Sequence, residues 1–257
     1  MKKLSKCIMY ILLLSNFLFS KDDDYIENPI QTAGIALNYI RSIYNAEGEI
    51  RSLPLLNLRL NRFFLRGSLE LGYIFYEEPM FKFSLIVNPL YGYFDGWTIK
   101  SKKMKDGYRN IDNRKAFPVG GVSLDAFLTD EIFTNLTYQI GKNGSKAEIT
   151  FGTIFRIFDR FTIIPSISGK IMDKKFTNHF IGITEQEVIK NAKIKESYKG
   201  RTSFSGASNI SLECAINDNF AATIFSGIEI VDDKIKKSPI VKINTQLYGG
   251  LGLRVTF

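Results

Sequence analysis

The 257-residue sequence is poor in the residues that build metal and disulfide sites, with one histidine, two cysteines and one tryptophan. A single histidine excludes a histidine-rich metal site, and two cysteines cannot form a disulfide scaffold. After the first twenty residues no run approaches the roughly 18 apolar residues of a membrane helix. Hydrophobic residues make up 45% and charged residues 23% of the chain, a composition that excludes intrinsic disorder.

The first twenty residues have the pattern of a secretory signal peptide. Three early lysines precede an apolar run, and the small residue Ser20 stands before the acidic stretch at 21–24. This order is typical of a signal cleaved after residues 1–20. We therefore expect residues 21–257 to form one exported domain, either soluble or a membrane barrel whose strands are only weakly hydrophobic.

Hydrophobicity alternates with a period of two along the end of the chain. From Ile240 to Phe257 the odd positions are almost all apolar, and the even positions after Ile240 are polar or small. Such a run predicts a strand longer than most strands of soluble proteins. Similar apolar sets occur at 81–93, 147–157, 161–171 and 204–216. Alternation alone leaves a soluble barrel open, but the Gly, Ser and Asn content of the polar faces favours lipid outside.

The connections between these strands are of two kinds. Tight turns are predicted at 77–79, 129–131, 159–160 and 218–219, and long polar loops at 95–115, 173–201 and 232–238. Bacterial membrane barrels have short periplasmic turns, long extracellular loops and an even number of strands. The sequence thus predicts an all-β fold, a single antiparallel transmembrane β-barrel. Taking 51–76 as one interrupted strand gives about ten strands; twelve is the alternative, if short strands form near Arg62 or at Phe176–Ile183.

Several short segments carry a resemblance to a known family. They are Phe180-Ile181-Gly182-Ile183-Thr184, Ser238-Pro239-Ile240-Val241, the closing Leu251–Phe257, and Ser52-Leu53-Pro54-Leu55-Leu56 after a glycine-containing strand at 33–39. In these segments the sequence resembles the MltA-interacting protein (MipA/OmpV) family of Gram-negative outer-membrane proteins. It departs at Tyr93-Phe94-Asp95, where the family usually has an arginine, and in a basic insert where the family's is acidic.

The resemblance implies a location in the cell outer membrane and a non-enzymatic role. A member of this family is expected to act as a scaffold or envelope-integrity protein that links a lytic transglycosylase and a murein synthase to the membrane. The acidic turns at 77–78 and 130–131 and the acidic stretch at 22–24 are the candidate docking surface. The alternative is a narrow channel or small-solute porin, although small barrels usually fill their lumen with side chains.

The last strand carries a candidate assembly signal. Its members are Leu251, Leu253, Val255 and Phe257. Barrel precursors are recognised through a final strand with an aromatic terminal residue and apolar residues at alternate earlier positions. An exposed strand edge is a template for strand addition, so the barrel-assembly machinery is an expected partner.

The two largest loops are basic. The lysines that we expect to contact phosphates of outer-membrane lipid are Lys100, Lys102, Lys103, Lys105, Lys174 and Lys175. Clusters of positive charge attract anionic surfaces. The alternative is a loop composition that only favours solubility. Nucleic acid is not an expected partner of an exported membrane protein.

Catalytic chemistry has little support in the sequence. The one histidine, His179, shares a predicted loop with Asp173, which raises the idea of a hydrolase. Catalysis requires a base, an orienting group and a nucleophile in one pocket, and no phosphate-binding loop, zinc spacing or Gly-x-Ser-x-Gly elbow is present. The prediction is a protein that is not an enzyme, without catalytic residues, cofactor or metal.

Overall fold

The computed structural model describes residues 31–158 and 160–257. The expected signal peptide, the acidic stretch at 22–24 and Asp159 lie outside these residues. In the described part the strands are β1 (Thr32–Arg41), β2 (Glu49–Leu60), β3 (Phe63–Gly67), β4 (Glu70–Glu78), β5 (Phe81–Tyr91), β6 (Phe117–Phe127), β7 (Ile132–Gly141), β8 (Gly144–Thr153), β9 (Phe155–Ile157), β10 (Phe161–Met172), β11 (Ser203–Ala215), β12 (Phe220–Val231) and β13 (Thr245–Thr256).

The strands form one closed antiparallel barrel. Strands pair in chain order, except that β8 pairs with β10 and not with β9. β13 pairs with β1 and β10 pairs with β11, so the described sheet has no open end. The short β9 prolongs β8 after a break at Ile154, because both segments pair with the same strand, β10. The barrel therefore has twelve strand positions, the alternative count that the sequence allowed.

The two additional strands come from residues 51–76, and the expectation of one interrupted strand there is wrong. The chain reverses at 61–62 and again at 68–69, which divides this stretch among β2, β3 and β4. Asn61, Gly67 and Leu69 have φ values of 53°, 55° and 76°, the left-handed conformation that tight two-residue turns need. Residues 176–183, the other candidate for an added strand, are mostly helical.

All the long connections lie at one end of the barrel, as the sequence predicts, together with two tight turns. We call the end with the connections at 61–62, 79–80, 128–131, 158–160 and 216–219 the turn end. The loop end carries the connections at 42–48, 68–69, 92–116, 142–143, 173–202 and 232–244. The loops contain α1 (Lys174–Ile181), α2 (Glu185–Lys190), α3 (Asp233–Lys236) and a 3₁₀ turn at Ser101–Lys103.

In the part of the chain that the structure describes, no helix has the length and apolar character needed to cross a membrane.

The outer surface of the barrel is apolar. On β13, for example, Leu251 is 65% exposed and Leu253 is similarly open. At the turn end the exposed side chains include an aromatic girdle: Phe63, Phe75, Tyr76, Phe83, Phe127, Phe155, Phe161 and Phe220. Soluble monomers rarely expose an apolar surface of this extent, whereas an apolar band with aromatic girdles is the lipid-facing surface of a membrane barrel.

The predicted alternation of outward and inward side chains runs beyond the regular part of β13 and of β5 at the loop end. β13 begins at Thr245, and Ile240 and Val241 are buried among the loops instead. On β5 an irregularity between Asn88 and Tyr91 turns Tyr91 into the protein interior. Both departures lie at the loop end, where apolar side chains pack against the loops.

Replacing an outward side chain in the middle of a strand tests the lipid-facing surface. Leu251→Arg should lower the free energy of unfolding by about 2–4 kcal/mol, because a cation near the bilayer midplane is costly. Ile189→Arg on α2, where the side chain is 85% exposed outside the barrel wall, is the control and should be near neutral. Urea unfolding in lipid vesicles measures both, and equal effects would contradict the assignment of this face.

Candidate functional site

The loops at the loop end pack together into one body, which we call the cap, made of residues 42–48, 92–116, 173–202 and 232–244. Its core contains Ile43, Tyr44, Trp97, Ile99, Met104, Ile111, Phe176, Phe180, Ile181, Ile183, Ile194, Ile235, Ile240 and Val241, joined by Tyr91, Phe117, Val119, Met172 and Val231 of the barrel wall. All four long loops contribute side chains. The cap is therefore a packed structure with its own apolar core.

Aromatic rings form the centre of the cap. The ring centroids of Phe176 and Phe180 on α1 are 5.1 Å apart, and Trp97 lies 5.8 Å from Phe180. Tyr91 and Phe117, at the ends of β5 and β6, complete the cluster with edge or tilted contacts. These geometries are the favourable ones for aromatic pairs. They fix α1 against the barrel wall.

Tyr44 connects the loop at 42–48 to two others. Its hydroxyl lies 2.7 Å from the carbonyl oxygen of Trp97 and 3.1 Å from that of Phe180. Burial raises the pKa of the Tyr44 hydroxyl, against an opposing effect of nearby Arg114 and Arg51. The hydroxyl therefore stays neutral and can donate a hydrogen bond within the cap at any physiological pH.

A buried ion pair joins the loop at 92–116 to the loop at 173–202. Arg114 Nη2 lies 2.9 Å from Glu187 Oε1 and donates to the carbonyl oxygen of Gly182 at 2.6 Å. Glu187 also accepts the N–H groups of Asp112 and Thr184. Burial acts to raise the pKa of Glu187, but these N–H groups and Arg114 outweigh it and lower the pKa below its usual range. The carboxylate is charged at neutral pH and contributes to cap stability there.

Residues 93–98, which we call the inner segment, cross from β5 towards the far wall of the lumen. Arg51 on β2 donates to the carbonyl oxygen and hydroxyl of Thr98, at 2.9 and 3.0 Å, and to the carbonyl oxygen of Tyr93. From β13, Gln246 Nε2 donates to the Asp95 carbonyl oxygen at 2.6 Å. The inner segment thus leaves β5 and is held at β2 and β13, the two strands that flank β1.

Charged side chains fill much of the lumen in pairs. Lys146 lies 2.7 Å from Glu148, and Lys170 lies 3.2 Å from Glu229. Arg66 pairs with Glu70 and Asp125 at 2.8 Å, and Arg254 pairs with Glu213. The ion pairs that involve Lys170, Glu148, Arg254 and Glu213 are those expected when side chains fill the lumen. Arg156 and Lys242 are exposed instead and have no ion pair within the described residues.

Beneath the inner segment the lumen keeps a cavity of about 220 Å³. Its lining is mixed: Asn38, Ile40, Leu53, Ser68, Phe94, Asp95, Lys170, Phe225, Glu229, Gln246 and Tyr248. The Oδ1 atom of Asn38 is buried and has no hydrogen-bond partner in the described part of the chain. A buried acceptor without a donor is a site where a ligand or water can bind favourably.

Comparison with known proteins decides the family. The sequence profile of the family "MltA-interacting protein MipA" matches residues 33–257. The chain belongs to this family. A "24 kDa outer membrane protein" of Pasteurella multocida (strain Pm70) is 30% identical over 99% of this chain and 98% of its own length. The chain is accordingly an outer-membrane protein, with the turn end in the periplasm and the cap outside.

Solved barrels resemble this MipA-family chain at low identity. A NanC porin has a TM-score of 0.49 and 9% identity, covering 88% of this chain and 100% of the porin. The outer-membrane channel DcaP of Acinetobacter baumannii has a TM-score of 0.40 and 8% identity, covering 89% and 96%. Likeness at this level carries no information on function.

The structure separates the six lysines predicted to bind lipid phosphates. All are exposed, but Lys100, Lys102, Lys103 and Lys105 lie on the loop at 92–116, where buried Met104 bridges to Ala46 across the mouth. Lys174 and Lys175 begin α1 directly after β10, beside the lipid-facing Ile171. The predicted assembly residues Leu251, Leu253, Val255 and Phe257 are all exposed.

Asp173 and His179 have separate structural partners. Asp173 caps α1 by accepting the N–H of Phe176 at 2.7 Å, and it also accepts the N–H of Ser145. The His179 ring lies 2.8 Å from the carbonyl oxygen of Lys115, and burial lowers its pKa despite this hydrogen bond. The roles of Arg51 and Tyr44 were not predicted from the sequence. The available signal was that Arg51 stands at an inward-facing position of a barrel strand.

Arg51→Met tests whether the inner segment closes the lumen. Hydrogen bonds to charged groups contribute about 1.5–3 kcal/mol each, so their loss should let the cap of this MipA-family protein open. Acrylamide quenching of Trp97, the single tryptophan and 2% exposed, should increase, and conductance in planar bilayers should rise. Arg41→Met, at an exposed position, is the matched control. Unchanged quenching and conductance in Arg51→Met would refute a closing role.

Proposed function

We propose that this chain is a non-enzymatic anchor in the outer membrane whose periplasmic turn end docks a lytic transglycosylase, the partner that the family's name indicates, together with a murein synthase. The proposal is supported above all by the cap, which covers the external mouth with a packed core. In a barrel closed in this way the turn end remains accessible to periplasmic partners. The separate structural roles of Asp173 and His179 agree with a protein that does not catalyse a reaction.

The turn end offers acidic groups to a partner. Asp130, Glu131 and Asp218 are exposed, and their side chains make no ion pair among the described residues. By contrast, Glu77 is occupied by Arg59 at the same end. Unpaired surface carboxylates steer the association of a basic partner and contribute to its specificity. These three residues are the docking group that we assign to the periplasmic face.

Charge reversal tests this docking group. The triple variant Asp130→Lys, Glu131→Lys, Asp218→Lys should weaken binding of a purified lytic transglycosylase at least tenfold, because complementary charge becomes repulsive. The matched control reverses three exposed acids of the cap, Asp106, Glu185 and Asp233. Binding is measured by surface plasmon resonance on nanodisc-embedded protein at two salt concentrations. If wild type does not bind, or if both triple variants bind equally, the proposal is wrong.

At the rim of the cap we propose contact with phosphates of outer-leaflet lipid. Lys174 and Lys175 are exposed at the start of α1, and their neighbour Asp173 is engaged by backbone N–H groups. Because α1 follows β10 directly, its first turn is close to the lipid headgroups. The four lysines between 100 and 105 lie on the loop that covers the mouth and are less well placed for lipid.

Two double variants separate these groups of lysines. Lys174→Gln with Lys175→Gln should reduce binding of lipopolysaccharide about fivefold per charge, since each basic residue near an anionic surface contributes about 1 kcal/mol. Lys102→Gln with Lys103→Gln removes the same charge and should have little effect. Purified lipopolysaccharide titrated into detergent-solubilised protein supplies the measurement. Equal losses in the two variants would contradict a rim site.

A narrow channel is the second candidate function. It is favoured by the lumen cavity of about 220 Å³ beneath the inner segment. Planar-bilayer recordings distinguish the candidates, because the closed anchor has no stable open state of large conductance and a porin has one.

The outward face of β13, with Leu251, Leu253 and Val255, is the surface that we assign to the barrel-assembly machinery.

A further inference from the structure

One sector of the barrel wall is much shorter than the rest. β3 has five residues and β2 has twelve, and the chain turns back into β4 at 68–69. A tilted strand needs about 9–11 residues to cross the hydrocarbon core of a bilayer. β3 is shorter than this, whereas β4 has nine residues. At the loop end the hairpin of β3 and β4 stops short of both neighbouring strands, β2 and β5.

The strands on the two sides of this hairpin have unpaired edges above it. β2 pairs with β3 only from Leu56 onward, so that residues 49–55 lack a strand neighbour on that side within the described chain. β5 pairs with β4 only as far as Val87, which leaves residues 88–91 without one. The two edges border a gap in the wall above the turn at 68–69, and we call this opening the lateral gap.

Both edges of the lateral gap carry a proline. Pro54 lies in the unpaired part of β2, and Pro89 lies in the unpaired part of β5. Proline has no N–H to donate, and within sheets it is confined to edges and bulges. The two edges are therefore suited to remain unpaired. Irregular backbone at membrane depth is tolerated where it lines a cavity, and the structure has a cavity at this place.

The lateral gap leads into the lumen cavity. Ser68, in the turn at its lower margin, and Leu53, in the unpaired part of β2, both line that cavity. At the upper margin the Tyr93 ring lies 5.0 Å from the guanidinium carbon of Arg51. The cavity is thus bounded by the short hairpin below and by the inner segment above, and it lies between the lumen and the lipid.

The cavity presents hydrogen-bond acceptors that have no donor. Asn38 is 4% exposed, and its Oδ1 has no partner among the described residues. The carboxylate of Asp95 also has no hydrogen-bond partner there, because only its carbonyl oxygen receives Gln246. The cation in the lining, Lys170, is paired with Glu229. The lining thus has two free acceptors, and its acidic side chains, Asp95 and Glu229, outnumber its one cation. These properties favour a ligand group that is cationic and rich in hydrogen-bond donors.

We propose that the lateral gap admits an amphiphile with a protonated primary amine from the outer membrane into this cavity. Asn38 Oδ1 and the Asp95 carboxylate accept hydrogen bonds from the ammonium group, and the apolar chain lies in the gap between β2 and β5. The site is independent of any partner at the turn end.

Trp97 provides a direct measurement of binding. It follows Gly96, which lies against Ile40 and Gln246 of the cavity wall. The probe is dodecylamine with a brominated chain, added to wild-type protein in nanodiscs, and saturable quenching of Trp97 is the expected result. An alkyl sulfate with the same brominated chain should give only a linear background. Equal saturable quenching by both probes, or none by the amine, overturns the proposal.

Two variants test the head-group site. Asn38→Leu should weaken the amine's affinity about tenfold, since a hydrogen bond to a charged group is lost. Gln139→Leu is the matched control, because Gln139 is a buried lumen amide outside the cavity lining, and it should bind like wild type. Equal affinities for the two variants, with folding verified by circular dichroism, overturn the assignment of Asn38.

The route of entry has its own test. Ser68→Phe narrows the lower margin of the lateral gap and should slow the onset of quenching at least fivefold in stopped-flow mixing. Leu136→Phe, at a lipid-facing position of β7 away from the gap, should leave the rate unchanged. If Ser68→Phe associates at the wild-type rate, the amphiphile does not enter through the gap and the lateral route is wrong.

Discussion

A peptide group in the hydrocarbon of a bilayer that lacks a hydrogen-bond partner costs several kcal/mol, and this cost determines the architecture of the chain. Closure of the sheet through the pairing of β10 with β11, over twelve residue pairs, removes the edges that an open sheet would expose to lipid. Outward apolar side chains, inward ion pairs and a loop end distinct from the turn end all depend on that closure. The exception, around β3 and β4, occurs where the backbone lines a cavity.

The alternating pattern of the sequence was sufficient to predict the faces of the strands and the two ends of the barrel. Ile149 and Phe151 face outward on β8 and Glu148 faces inward, as their parity predicts. The pattern failed where tertiary contacts override it. Val241 continues the alternation of β13 but packs in the cap together with Ile240. The turn at 68–69 requires a left-handed Leu69, which propensity does not indicate. The strand count therefore remained open between ten and twelve.

The candidate site was less predictable than the fold. The lumen pairs of Glu148 with Lys170 and of Glu213 with Arg254 follow from the parity of their positions. The contacts of Arg51, Tyr44 and Arg114 do not, since each joins segments distant in sequence and most have a backbone carbonyl as the acceptor. A carbonyl has no sequence signature. What the sequence did contain was Pro54 in the middle of β2, a sign of an edge.

The prolines at positions 54 and 89 have a consequence for biogenesis. A barrel that exposes unpaired strand edges is at risk of joining another chain edge to edge, which leads to misassembly or fibrils. Removing one donor from each edge weakens such intermolecular pairing, and it also disfavours the direct pairing of β2 with β5 that would leave out the short hairpin. The two prolines that keep the wall incomplete thus also protect the nascent chain from aggregation before it inserts into the membrane.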